Sequence, residues 1–221
     1  MQLQSRAEWW AGASFVDSAK QHMWNDQEFF QDHRGEFILA LGATIFVFDI
    51  QLADADRNVY ETISLRVARH PSESNEYLLT RVLAYCLEYT EGVSFSAGGL
   101  SDPEQPAITV RDLTGALQAW IEIGSPDAAR LHKASKAAQR VAVYSHKQVN
   151  LLLAKLQGER IHRAQALTLY AIDPGFVAAL SGRLVKRMQL DLSVSEGHLY
   201  ATIGTETLSG TVETHRLGQQ M

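Results

Sequence analysis

Residues 117–123, Leu-Gln-Ala-Trp-Ile-Glu-Ile, constrain the fold more than any other stretch of this chain. In a strand, Leu117, Ala119, Ile121 and Ile123 share one face, while Ala116 and Trp120 lie on the other. Apolar residues on both faces mark a central strand covered from both sides. The stretch runs through Gly124 into Ser125-Pro126-Asp127. There Ser125 reads as a helix cap, Pro126 as the first helical position and Asp127 as a complement to the helix dipole. Ala128, Leu131, Ser135 and Ala138 follow at helical spacing as a small-residue core stripe. Residues 141–144, Val-Ala-Val-Tyr, read as the next strand. A strand–helix–strand crossover of this kind places the second strand parallel to the first.

Around this unit the pattern is regular from Leu41 onwards. Residues 44–50 and 60–68 read as a long hairpin turned at 54–58. Pro71 and Ser72 open a helix, with Ser72 as its cap; Tyr77, Leu78, Val82, Tyr85, Cys86 and Tyr89 recur at helical spacing, which puts Cys86 in the core. Residues 92–106 are loop-rich. Residues 107–111 and 117–123 form a second hairpin turned at 112–115. Helix 147–157, strand 167–172, helix 174–181 and a closing hairpin at 187–195 and 198–204 complete the order. The expected fold is α/β, a mixed sheet flanked by helices. It occupies residues 40–221 as one domain. Residues 1–39 stand apart as an N-terminal extension, irregular or helical and dispensable for folding. They carry Trp9, Trp10 and Trp24 without periodicity, and the alternative role for them is an aromatic docking segment.

Composition excludes several functional classes. No apolar run reaches the roughly 18 residues of a membrane helix, and no secretory leader is recognisable. The single cysteine excludes an internal disulfide and fits a cytoplasmic protein. A net charge of −5 argues against coating nucleic acid by bulk electrostatics, but leaves room for a local basic patch. A protein partner remains open. The histidines show no metal-ligand spacing, Gly92 to Ser96 lacks a nucleophile elbow, and Gly98-Gly99 lacks the lysine of a phosphate loop.

The chemistry gathers at the end of the central strand. With residues 113–115 as the turn, Glu122 falls opposite Pro106 and about 20 Å from Asp112, so those two carboxylates do not form a pair. Glu104, Gln105 and Asp102 are the neighbours of Glu122, and one residue of register changes which of them shares its face. Glu122 and Glu104 are the candidate ligands for Mg²⁺, a cation that prefers oxygen donors and activates water. Arg130, Lys133 and Lys136 recur every three residues along the following helix and make one cationic edge. Lys133 is the candidate to orient water or hold a phosphate oxygen, with Arg130 and Lys136 as phosphate contacts. The competing reading of these three is a solvated basic face, and of Glu122 a carboxylate turned to water.

Residues 48–54 (Phe-Asp-Ile-Gln-Leu-Ala-Asp), 68–73 (Ala-Arg-His-Pro-Ser-Glu) and 120–124 (Trp-Ile-Glu-Ile-Gly) resemble the YaeQ family of bacterial proteins, as do Pro126-Asp127 with Arg130 and Lys133. The resemblance covers the chain from about residue 40. It implies a fold related to the PD-(D/E)xK nucleases, that is, restriction-endonuclease-like. Glu73 or Glu76 would then be the glutamate of the first helix and Glu122 the glutamate of E-x-K, with Glu73, Glu122 and Lys133 as catalytic residues. Two departures stand out. Gly124 occupies the position of the motif lysine, so Lys133, or next Lys136, would have to substitute. Gln105 occupies a position that is usually acidic, for which Glu104 would compensate. Two activities follow: a Mg²⁺-dependent phosphodiesterase acting on nucleic acid, or a binding or regulatory protein that retains the fold without the chemistry. A hydrolase of small phosphorylated molecules is a distant third.

Overall fold

The computed structural model describes residues 27–31, 37–96 and 104–217. The chain divides into two compact units, residues 1–44 and 45–221. In the first, β1 (Gln27–Gln31) and β2 (Phe37–Leu41) pair antiparallel, Gln27 opposite Leu41. Trp9, Trp10 and Trp24 lie outside the described residues, and with them the question of a docking segment.

The second unit is built on a ten-stranded mixed sheet. Its strands in chain order are β3 (Thr44–Asp54), β4 (Val59–Arg69), β5 (Val93–Phe95), β6 (Ile108–Arg111), β7 (Leu117–Ile123), β8 (Arg140–Ser145), β9 (Leu167–Ile172), β10 (Arg187–Ser195), β11 (His198–Ile203) and β12 (Glu206–Arg216). Their order in space is β4-β3-β10-β11-β12-β9-β8-β7-β6-β5. β7, β8 and β9 run parallel to one another, as the crossover reading of the central unit requires. β10 is parallel to β3, while the β10–β11, β11–β12, β12–β9, β5–β6 and β6–β7 ladders are antiparallel. The expected α/β architecture, a mixed sheet with helices on it, is therefore the one observed.

Among the described residues four helices cover the sheet: α1 (Asn75–Leu87), α2 (Ala128–Ala137), α3 (Val149–Leu156) and α4 (Pro174–Ser181). Strand alternation sorts them between two cores. Ala119, Ile121 and Ile123 of β7 join Leu78, Leu79, Val82 and Leu83 of α1 and Phe176, Val177 and Leu180 of α4. Trp120 of β7 and Val141 and Val143 of β8 join Leu131 and Ala134 of α2 and Val149, Leu152 and Leu156 of α3. The first cluster also takes in Phe48, Ile50 and Leu52 of β3 and Leu190 and Leu192 of β10, so both halves of the sheet share one core. Burying each such side chain contributes roughly 1.5–3 kcal/mol. Cys86 is fully buried in that cluster, as its helical spacing predicts, and burial pushes its thiol up to about 12.

Several local expectations need correction. The cap of α1 is Ser74, whose Oγ accepts from Tyr77 N, whereas Ser72 sits in the preceding turn against the His70 ring. Ser74 has the extended backbone geometry of a cap (φ −73°, ψ 161°). Asp127, not Ser125, caps α2 by accepting from Arg130 N at 2.8 Å. α3 begins at Val149, after Ser145 Oγ has accepted from Lys147 N. Within the loop-rich 92–106 stretch, Val93–Phe95 forms β5. The 187–203 hairpin does not close the fold. β12 follows it and inserts between β11 and β9. Its polar, glycine-containing sequence hides this, because Phe176 of α4 lies directly over Gly210: a β-carbon there would stand 2.4 Å from that of Phe176.

The β6–β7 ladder carries a bulge. Arg111 pairs with Leu117, but Val110 pairs with Ala119, leaving Gln118 as the extra residue. Asp112 N still donates to Ala116 O, as the turn predicts. Beyond the bulge the register is displaced by one, so Glu122 falls opposite Ala107 instead of Pro106.

Candidate functional site at the carboxyl ends of β7 and β8

In an open sheet with parallel strands, ligands bind beyond the carboxyl ends of those strands. Here these ends carry Glu122 and Gly124 on β7, and Ser145 and His146 on β8. Glu122 is 4 % exposed and points to the α2 face with Trp120. Its Oε1 accepts from Trp120 Nε1 and, at 2.7 Å, from Arg130 Nε. Arg130 is brought there by the Asp127 cap, which starts α2 close to the strand end. The same guanidinium donates through Nη2 to the Gln105 carbonyl at 2.7 Å. Arg130 thus bridges the Glu122 carboxylate and a backbone oxygen just ahead of β6. Burial raises the Glu122 carboxyl above its ordinary value, against the lowering effect of Trp120 and Arg130.

Lys133, one turn further along α2, pairs with Glu104. Both partners are well exposed (side chains 43 % and 75 %). Lys136 is exposed in the last turn of α2, where its charge suits the helix dipole. The evenly spaced cationic edge is therefore divided: Arg130 goes to Glu122 and Gln105, and Lys133 to Glu104.

Glu73 belongs to the other side of the strand end. It precedes α1, which packs on the Ile121 and Ile123 face. Glu73 is 5 % exposed, and its Oε2 accepts from His70 N at 3.1 Å and Arg81 Nη2 at 3.2 Å. Its Oε1 lies 3.0 Å from the same Nη2, yet no donor is aligned with it. Burial raises the Glu73 carboxyl, with Arg81 the main opposing influence. Tyr77 is the side chain that senses both carboxylates: burial first, then Glu73 and Glu122 against Arg81 and Arg130, leaves its phenol pushed up to about 12. Gly124 packs on that ring, its position for a β-carbon 3.5 Å from Tyr77 Cε2. At φ +88° Gly124 is in the left-handed region, which explains why a lysine of the E-x-K type does not stand there.

Ser145-His146, placed by the sequence as a cap for a helix beginning near Lys147, has a further contact: the His146 ring reaches back to α1. Thr80, buried in α1, donates its hydroxyl to Glu76 O at 2.7 Å. The second contact of that oxygen, 2.7 Å to His146 Nδ1, therefore requires Nδ1 to carry the proton. The neutral ring then presents Nε2 as an acceptor. Burial and the neighbouring Lys147 hold the His146 pKa below its ordinary value, opposed by Glu76. Glu76 in turn accepts from Ser181 Oγ of α4 at 3.1 Å. The position of Ser145-His146 directly after a central parallel strand is the sequence signal that would have singled it out.

No group of three or more His, Cys, Asp or Glu suited to a metal ion occurs among the described residues; Asp102 lies outside them. Of the two expected Mg²⁺ ligands, the Glu122 carboxylate faces Arg130, which also holds the Gln105 carbonyl, and the Glu104 carboxylate faces Lys133. Each carboxylate of the expected pair is thus matched by a cation of the protein itself. Nor is any helix among the described residues long and apolar enough to cross a membrane.

Comparison with known proteins agrees with the residues that carry the resemblance. The sequence profile described as YaeQ protein matches residues 39–212. The uncharacterised YaeQ protein of Escherichia coli K12 is 32 % identical over 164 residues, covering 73 % of this chain and 90 % of that one. Its counterpart in Salmonella typhi is 31 % identical over 167 residues, with the same coverage. The crystal structure of YaeQ from Xanthomonas axonopodis pv. citri superposes with a TM-score of 0.72 at 28 % identity, over 79 % of this chain and 98 % of that one. That from Pseudomonas syringae superposes with a TM-score of 0.69, also at 28 % identity, over 78 % and 95 %. The chain belongs to the YaeQ family.

Proposed function

We propose that this protein is a cytoplasmic binding or regulatory protein that uses a nuclease-type fold without metal-dependent hydrolysis. The observation that carries this reading is Arg130, whose guanidinium bridges Glu122 and the Gln105 carbonyl where a divalent cation would need both oxygens. A fold does not bring its chemistry with it. Gly124, held at positive φ, removes the motif lysine, and the net charge of −5 favours a protein partner over nucleic acid. The Arg130 bridge ties the backbone just ahead of β6 to the end of β7.

The test is thermal unfolding of the whole protein in Mg²⁺ and Mn²⁺, alone and as Glu122→Gln. The expected result is the same small response in both proteins. A rise in melting temperature that Glu122→Gln abolishes would sink the proposal, because a ligand that binds only the folded state must raise its stability.

The second reading, a Mg²⁺-dependent phosphodiesterase on DNA or RNA, draws support from one observation. Lys133 and Glu104 meet beside the Glu122–Arg130 pair, as the resemblance implies for a catalytic cluster. Glu122 and Glu104 would be the ligands, Lys133 and Glu73 would act on the attacking water, and Arg130 and Lys136 would hold phosphate. Cleavage of single- or double-stranded substrates in Mn²⁺ that disappears in Glu122→Gln is the result this reading requires.

A further inference from the structure

A second polar site lies at the other end of α1. Glu88, the residue that ends the helix, is eleven residues from Tyr77, roughly 16 Å at 1.5 Å per residue. Beside it opens a cavity of about 550 Å³ between the β3–β4 turn, the end of α1, and strands β8, β9 and β12. The volume falls in the range of small-molecule pockets.

The hydrogen bonding of its walls is one-sided. Asp54 accepts from Arg57 N at 3.1 Å and Arg57 Nε at 2.7 Å. Asp56 accepts from Glu196 N at 2.6 Å and Gly197 N at 3.0 Å. Glu88 accepts from Arg140 Nη1 at 3.0 Å, from Arg140 Nη2, and from Tyr144 Oη at 2.9 Å. The carboxylates are thus committed to protein donors. Donors remain. Arg140 gives two contacts to Glu88 out of the five N–H groups of a guanidinium. The Tyr170 and Thr214 hydroxyls line the cavity and make no hydrogen bond to another described residue. Tyr170 is fixed by stacking on Tyr144, ring centroids 4.5 Å apart and planes 13° from parallel. Leu87, Val194 and Val212 add an apolar wall.

We propose that this cavity binds a small organic monocarboxylate, its oxygens on Arg140 and Tyr170 and its apolar body against Leu87, Val194 and Val212. Uncommitted donors select an acceptor, and a guanidinium held in plane by Glu88 is suited to a carboxylate. The charge balance selects the number of charges. Arg57 and Arg140, with Arg216 within electrostatic range of Tyr170, offset Asp54, Asp56 and Glu88. A near-neutral site favours one negative charge over the two of a phosphate.

The probes are benzoate and phenylacetate, with benzamide and inorganic phosphate as controls, titrated calorimetrically into the whole protein. Saturable binding of a carboxylate, weakened about tenfold by Tyr170→Phe and by Arg140→Lys, is expected, since one charge-assisted hydrogen bond is worth about that factor. Tyr170→Phe removes a single hydroxyl and leaves the ring stack, so its fold is secure. Leu113→Ala, in the exposed β6–β7 turn and outside the cavity wall, leaves binding unchanged. The proposal fails if neither carboxylate saturates, if benzamide or phosphate binds as well, if both cavity variants bind as the parent does, or if Leu113→Ala is the variant that loses binding.

Discussion

Glu122 and Glu88 are both buried carboxylates facing an arginine, and α1 spans the distance between them. They are built differently. Glu122 receives both of its donors on one oxygen, from residues two and eight positions away. Glu88 uses both oxygens, and its donors come from β8, 52 and 56 positions away. The first pair belongs to one strand–helix junction and fastens the loop before β6 through Gln105. The second joins the end of α1 to β8 and forms the wall of a cavity. The local pair clamps the neighbouring loop, and the long-range pair ties the end of α1 to β8.

Removing each arginine is the most direct way to break that comparison. Arg140→Ala leaves the Glu88 carboxylate buried with only Tyr144 and should cost about 3 kcal/mol, the low end for a broken buried pair because Arg140 itself is partly exposed. Arg130→Ala should cost about 2 kcal/mol, since Glu122 keeps Trp120 as a donor. Urea denaturation at pH 7 measures both. Equal losses, or the reverse order, would mean that range in sequence has no bearing on what these pairs hold.

Gly124 sharpens the contrast from the backbone side. Gly124→Ala should cost about 1–2 kcal/mol, because φ +88° is strained for any residue with a β-carbon while the nearest atom, on Tyr77, is at an ordinary 3.5 Å. Gly124→Lys should be destabilised to the same degree and should gain no hydrolytic activity. A lysine there that created metal-dependent cleavage would show that the motif, and not the Arg130 bridge, limits the site.

The pH dependence of Glu122 has a definite sign. Burial raises its folded carboxyl above the ordinary glutamate value. Between the unfolded and folded values the folded chain binds more protons, so this group lowers stability as pH rises through that window. Glu122→Gln lacks the titration. Its stability relative to the parent should therefore improve from pH 4 to pH 7, as read from urea midpoints at each pH. Glu73→Gln should behave alike, because burial raises that carboxyl too. A deficit that grew with pH would mean that the ion pairs outweigh burial at these two positions.

The same contrast explains what the residues disclosed in advance. Glu122, Arg130 and the strand–helix–strand unit were legible because periodicity, caps and spacing are local properties. Even there a single bulge at Gln118 displaced the partner of Glu122 by one residue, and no turn signal announces a bulge. β12 was missed because its central glycine answers to Phe176, 34 positions earlier. Glu88, Arg140 and Tyr170 carried no motif and became a site only through sheet order. His146 stood next to a recognised strand, but its bond to Thr80 crosses 66 positions.

Lys133 gives the smallest effect and separates two roles. Its pair with Glu104 is solvent-exposed on both sides, and such pairs contribute under about 1 kcal/mol after screening. Lys133→Ala and Glu104→Ala should each change stability by less than about 0.5 kcal/mol, and the double-mutant cycle should give a coupling of similar size that fades in 1 M salt. Because the fold is indifferent to these two side chains, any effect of Lys133→Ala on partner binding or on cleavage is a reading of function alone. A coupling well above 1 kcal/mol would instead make this pair part of the clamp, and the division of the α2 cations between two separate jobs would no longer hold.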